Sequence, residues 1–241
     1  MIDIIKFNPI LLTLDILGKI NAFVQVGAHD GEMFDPLRHF ILKDNWNGIL
    51  IEPQEDFFNK CIQGYKHLNN LIFVNAAVYK RKEKIILYKA QKAGDYSHTG
   101  WASINLKRFQ NTIYQEQYIK ETVQGIPLMD IIRDNNYKRV DLLQIDTEGY
   151  DADIIFMFDF EEYHPRLIQY EHIHLSEEKR LAVKNRICQY GYNLFEKKND
   201  TFALHKNQIS IQFISLYIIV RIYQSLSSRI QNILRKSILA K

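Results

Sequence analysis

The sequence predicts an α/β fold: a doubly wound, mostly parallel sheet closed by a C-terminal antiparallel hairpin and followed by a C-terminal amphipathic helix. Three observations predict it. Apolar, β-rich runs alternate with longer segments of helical period, the pattern of crossover units around a parallel sheet. Gly27 and Gly31 follow the first such run, where a strand gives way to a helix. Glu52 ends the second run, roughly 20 residues further on, where a nucleoside-binding fold carries an acid. A chain of 241 residues fits one such domain, expected over residues 1–206, with residues 207–241 as a helical tail.

Strands are expected at Ala22–Val26, Gly48–Glu52, Ile72–Val78, Val140–Asp146 and Leu167–Glu171. Helices are expected over Glu32–Lys43, Glu55–Leu68, Leu128–Asn135 and Asp151–Phe158, the third opened by Pro127. Lys84–Lys89 alternates β-formers and adds a small strand. Residues 90–108 mix Gly, Ser, Asn and Thr with isolated aromatics, the composition of a loop that covers a ligand. A helix follows Ser176 and runs to Tyr190, Gly191 breaks it, and Tyr192–Glu196 with Thr201–His205 form the closing hairpin.

Composition narrows the function. Hydrophobic residues at 46% and charged residues at 24% are ordinary globular values. The net charge is +3 and no Lys/Arg stripe is present, so no nucleic-acid partner is expected. Cys61 and Cys188 form no CxxC pair, which points to a reducing, cytoplasmic setting. The first residues lack a basic leader and a cleavage site, so no secretory signal is expected.

The motifs sit at strand ends. In VQVGAHDG, Gly27 and Gly31 bracket a tight turn with Ala28 between them, and bare backbone there lets a ligand approach. A dinucleotide fingerprint needs GxGxxG, which Asp30 interrupts, so the GxxxG spacing favours S-adenosylmethionine over NAD. A plain tight turn explains such a pair equally well. Glu52 can accept from both ribose hydroxyls, and Pro53 stops the strand directly behind it. Asn75 and Ala76 reach the same edge, where a small residue leaves room for adenine or merely packs. Asp146, Glu148 and Gly149 follow the fourth strand at a helix start, where an acid can equally serve only the helix dipole.

VQVGAHDG, GILIEP, VDLLQIDTEGYD and LIQYEH, in this order, resemble the signature segments of FkbM-family methyltransferases over roughly Ala22 to His205. The resemblance implies a class I O-methyltransferase acting on a sugar, glycan or other small-molecule hydroxyl, with S-adenosylmethionine bound at the sheet's carboxyl edge. One departure stands out: Gln25 occupies a position where such proteins often carry an acid.

Methyl transfer to a hydroxyl gains from a base that takes the proton. The candidates are Asp146, Glu148, Glu171, His172 and His98, with Asp146 and Glu171 preferred; His172 and His174 also read as ordinary histidines. Tyr96, Trp101 and Ser103 could shape an acceptor pocket or pin the loop. The acids from Asp146 to Asp153 lack EF-hand spacing, and no metal is expected. Two other readings compete: an inactive ligand-binding or scaffold module, which Gln25 favours, and an NAD-dependent oxidoreductase, which the glycine spacing disfavours.

In the tail, Ile209, Phe213, Leu216, Val220, Tyr223, Ile230 and Leu234 recur at helical spacing, giving an amphipathic helix. The run Ile209–Val220 is too short to span a bilayer, which takes about 20 apolar residues. Packing on its own domain, self-association into a homo-oligomer and peripheral membrane contact are the roles open to it, the last favoured by Arg221, Arg229, Arg235, Lys236 and Lys241 with no acid after Asp200.

Overall fold

A computed structural model describes residues 8–90, 102–110 and 117–239, with side chains through residue 226. The central sheet has seven strands: β1 (Ala22–Val26), β2 (Asn47–Ile51), β3 (Leu71–Val74), β8 (Leu142–Ile145), β9 (Leu167–Glu171) and the hairpin β10 (Tyr192–Lys197) and β11 (Asp200–His205). Their order is β10-β11-β9-β8-β1-β2-β3; the five from β9 to β3 are parallel, and β11 and β10 form an antiparallel hairpin at the other end. β1 and β8 therefore mark the switch point, where the chain winds outward in both directions and ligands of such folds bind.

Helices cover both faces. On one side lie α4 (Leu128–Asp134), α5 (Asp151–Met157) and α6 (Glu177–Gln189), whose Ile132, Ile154 and Val183 share a core with Val24, Ile49 and Leu143. On the other lie α1 (Pro9–Ile16), α2 (Arg38–Asp44), α3 (Glu55–Tyr65) and α7 (Ile211–Leu239), with Phe23, Phe40, Trp46 and Tyr65 at their centre. Alternate residues of the inner strands thus feed opposite cores, as a doubly covered parallel sheet requires. A second, four-stranded sheet stands beside the carboxyl edge, in the order β4 (Ala77–Val78), β7 (Tyr118–Ile126), β5 (Glu83–Ala90) and β6 (Ala102–Ser103).

Most expected elements lie within a few residues of their predicted bounds, but β6 and a 3-10 turn at Leu106–Phe109 lie within the expected loop, and further differences follow. The helix expected from Glu32 begins only at Arg38, because Asp35 precedes Pro36 and is barred from helical geometry, and Phe34 sits at φ 58°. The strand expected over Ile72–Val78 breaks after Val74, and Ala77–Val78 pair instead with β7. α1 and β7 were not anticipated. α1 is capped by the Asn8 side chain, which accepts from the Ile10 and Leu11 amides, with Pro9 in the first turn.

One acid secures the amino edge. Asp141, immediately before β8 and almost fully buried, accepts from the Asn21 and Ala22 amides at 3.0 Å each. Its other oxygen accepts from Arg139 Nε at 2.7 Å and Arg166 Nε at 3.1 Å, so β1, β8 and β9 begin from one ion cluster. Asp141→Ala is expected to lower unfolding free energy by about 2 kcal/mol, the cost of removing a buried acceptor shared by two amides and two guanidinium groups. Urea denaturation of wild type and variant measures it, and a loss under about 1 kcal/mol would show that the cluster only decorates the edge.

Candidate active site

The parallel register brings the strand ends into one row. Val26 pairs with both Ile51 and Ile145, Ile51 with Val74, and Ile145 with Tyr170. The next residues, Gly27, Glu52, Asn75, Asp146 and Glu171, therefore stand together along the carboxyl edge. A cleft opens there between the two sheets, lined by Gln25, Gly27, Ala28, Asp35, Glu52, Pro53, Ala76, Asp146 and Glu148 among others.

Each predicted residue has a definite place in this arrangement. Glu52 is buried and accepts from the His29 amide on one oxygen and the Gln54 amide on the other, both at 2.9 Å. Burial nevertheless dominates those two bonds and raises its pKa to about 7. Gly27 sits at φ 82°, and a Cβ there would lie 1.9 Å from the Asp146 carbonyl oxygen, so the bare backbone first answers to the neighbouring strand end. Gly31 does not line the cleft: a Cβ on it would strike the Tyr65 ring at 2.6 Å and Cys61 Sγ at 2.9 Å, so this glycine seats the loop on α3. Asn75 is likewise outside the lining, its amide donating to the carbonyls of Glu52 and Pro53 to stitch β3 to β2. Ala76 and Ala77 do line it and leave space free of side chain.

The catalytic candidates divide. Asp146 keeps accessible surface toward the cleft it lines, but the crowding of protein around it counts for more, and burial followed by the charges of Asp151 and Glu148 holds its pKa well above the carboxylate range. Glu148 takes a left-handed φ of 53° and is gripped by Arg108, whose Nε and Nη2 donate at 2.9 and 2.7 Å. Glu171 stands behind the cleft wall, and burial, then Asp146, Glu148, Asp151 and Asp200, push its pKa up to about 9. His174 Nε2 lies 3.4 Å from both Glu148 and Glu171, yet burial and Arg108 depress its pKa to about 4. The proximity and the depression agree if Glu171 carries the proton and His174 is neutral. His172 turns away: it is buried, bonds Thr201 through Nδ1 at 2.8 Å, and lines a separate hollow with Glu177 and Arg180, so its expected place at the base position is corrected.

Glu148, Glu171 and His174 also bring three ligand atoms within 4.8 Å of one another, an arrangement that local spacing does not reveal. Arg108 already pairs with Glu148. Ser103, expected to offer its hydroxyl, instead donates it to the Glu148 carbonyl at 3.0 Å. Tyr96, His98 and Trp101 lie outside the described residues.

Sequence reasoning missed Asp35. Its Oδ1 accepts from Gln25 Nε2 at 3.0 Å and from the Leu37 amide at 2.8 Å, and its Oδ2 accepts from the Tyr65 hydroxyl at 3.0 Å. Asp35 lines the cleft, and burial raises its pKa. A carboxylate thus stands one hydrogen bond beyond the amide of Gln25. The visible signal was Asp35-Pro36, a helix-breaking pair inside a segment of helical period.

A cleft at the switch point of a doubly wound sheet, with a glycine turn and an acid on successive strand ends, defines a Rossmann-like nucleoside-binding architecture. Residues 25–194 match the model of the Methyltransferase FkbM domain, and the chain belongs to that family of methyltransferases. Among the curated proteins none matches it. Similar solved structures include the METTL16 MTase domain (12% identity, TM-score 0.43, covering 81% of this chain and 64% of that one). Another is the precorrin-6y C5,15-methyltransferase from Geobacter metallireducens (11%, TM-score 0.39, covering 81% and 85%). A third is a putative RNA methyltransferase from Pyrococcus horikoshii (10%, TM-score 0.41, covering 82% and 81%). The chain spans under two thirds of the first of these, and family membership rests on the matched segment.

The pKa directions set a pH dependence. Glu52, Asp151 and Glu171 are raised to about 7, 6 and 9, above the ordinary values they recover on unfolding, so their contribution to stability is full below pH ~4.5 and lost as pH climbs through those values. Stability is therefore expected to fall between pH 5 and 9, and Glu171→Gln, which mimics the protonated acid, should gain on wild type at pH 9 while matching it near pH 5. Urea denaturation at the two pH values measures this, and parallel pH profiles would remove Glu171 from the account.

Proposed function

We propose that this chain transfers a methyl group from S-adenosylmethionine to a hydroxyl of a sugar, glycan or other small molecule. One observation carries the reading. The described residues that line the cleft include Asp35, Glu52, Asp146 and Glu148 and no Lys or Arg. S-adenosylmethionine brings a sulfonium and an ammonium, cations that such a cavity favours, whereas the pyrophosphate of NAD would face four acids. Gln25, Gln54 and Gln144 line the same cleft, and their buried amide oxygens have no hydrogen-bond partner among the described residues, which the donors of a ligand would supply.

On this reading Glu52 accepts from ribose hydroxyls with the lone pairs its two amide partners leave free, and the Ala76–Ala77 backbone makes room for the flat base. Asp35, relayed through Gln25, supplies the anion for the ammonium that position 25 itself lacks. The view of Gln25 as the mark of an inactive module loses its support accordingly. The cofactor supplies a methyl on a positively charged sulfur, and the protein's task is to line up the acceptor hydroxyl and take its proton. Burial and neighbouring acids raise the pKa of both Asp146 and Glu171; a cationic ligand nearby lowers them and turns the pair toward the base form.

Isothermal titration with S-adenosylmethionine and with NAD, joined to methyl transfer onto a panel of sugars and nucleotide sugars, tests this. S-adenosylmethionine is expected to bind and NAD not, with affinity rising from pH 6 to 9 as binding expels protons. Glu52→Gln and Asp35→Asn should each weaken binding about 10-fold or more, the loss of a charge-assisted contact. Asp146→Asn should cut turnover about 100-fold with a smaller effect on affinity. Binding of NAD in preference, or affinity that is flat with pH and unmoved by either carboxylate substitution, would overturn the reading.

A further inference from the structure

α7 is apolar on two opposite faces. Phe213 and Val220 are buried in the core that α1 shares, with Leu216 and Tyr217 packed against it. Phe213, Leu216 and Val220 belong to the stripe that sequence periodicity singles out, and this part of it is spent on the chain's own domain, whereas Ile209 and Tyr223 of the same stripe are exposed. At roughly 100° per residue, Ile211, Ile214, Ile218, Ile222 and Leu226 fall on the far side. They are 84%, 46%, 50%, 54% and 52% exposed, and Ile219 beside them is 60% exposed. Single exposed apolar residues are commonplace, but five in helical register make a continuous ridge that needs a partner.

Charge selects that partner. The chain carries no acid after Asp200, while Lys206, Arg221, Arg229, Arg235, Lys236 and Lys241 all lie beyond it. A second copy pairing through this helix would bring cations against cations. An anionic lipid surface complements both features, taking isoleucine side chains among its acyl chains and lysines and arginines among its headgroups. Insertion across the bilayer is not the mode, since no helix among the described residues is long and apolar enough to cross a membrane. We propose that α7 lies in the plane of an anionic bilayer, one face packed on the domain and the Ile211–Leu226 ridge seated in the lipid interface. This docking is independent of the methyl acceptor.

The experiment is cosedimentation of the full-length protein with phosphatidylcholine vesicles, with and without phosphatidylserine, at low and high salt. Binding is expected to the phosphatidylserine vesicles and to fall with salt. A variant carrying Ile214→Asp, Ile218→Asp and Ile222→Asp should partition at least about tenfold less while keeping the wild-type Tm and S-adenosylmethionine affinity, because the altered side chains face away from the core. Absence of vesicle binding, or equal binding by the variant, would overturn the proposal. So would a dimer in analytical ultracentrifugation that the variant abolishes, which would make the ridge an interface between copies.

Discussion

The structure turns on the electrostatic tension at the carboxyl edge of its parallel sheet. Register forces the residues after β1, β2 and β8 and the last residue of β9 into one row, and three of those four strand ends deliver an acid: Glu52, Asp146 and Glu171. Asp35 and Glu148 arrive from flanking loops. Gathering carboxylates together costs free energy unless protons or counter-charges offset it, and that cost raises the pKa of Glu52, Asp146 and Glu171. The opposite edge makes the contrast. Asp141 is as deeply placed, yet two amides and two guanidinium groups satisfy it completely enough to serve architecture. Of the cleft acids Glu148 has a guanidinium partner, while Asp35 and Glu52 accept only from neutral donors among the described residues, and an arrangement left short of positive charge is one that gains when a cation enters.

The second sheet gives that edge its wall. Ser103, at the end of β6, donates to the Glu148 carbonyl, and Arg108, in the short 3-10 turn that follows, grips the Glu148 carboxylate. Glu148 is thereby held in a left-handed conformation that a non-glycine residue adopts only when its surroundings impose it. Its strain and its salt bridge belong together: the backbone turns so that the carboxylate faces Arg108 and His174. The helix that begins at Asp151 completes the arrangement, for Asp151 accepts from the Thr147 hydroxyl on one side and the Glu171 amide on the other, tying the ends of β8 and β9.

Much of this could be read from the sequence, and the failures have common causes. Strands buried on both faces announce themselves as apolar runs, and their final residues follow from the first polar residue after each run, so Glu52, Asp146 and Glu171 were placed correctly along the edge. What a strand end faces is another matter. His172 differs from Glu171 by one position, and that step carries it to the other side of the sheet, against Thr201. Asn75 and Gly31 were assigned to a ligand because they sit near the edge, but their contacts are with protein, which no local pattern records. Asp35 escaped notice for the converse reason: the periodicity of residues 32–43 reads as a helix, and only Pro36 disturbs it. α1 was missed because it is buried nearly all round and shows no polar face from which to infer its period.

The tail helix shows why periodicity finds a helix more easily than it finds the helix's partners. A hydrophobic stripe at spacings of three and four identifies one face, and the choice then looks exclusive: domain, second copy or membrane. The burial of Phe213 and Val220 against the exposure of Ile214 and Ile218 shows that α7 has two stripes, offset by about half a turn. Packing on the domain satisfies the first and leaves the second where it was, so the one cannot stand in for the other. A helix meant only to cap the domain would carry polar residues on its outer face. That α7 carries isoleucines there, beside a segment without a single acid, is a departure from the rule for surface helices that a lipid interface accounts for in both its apolar and its charged aspects.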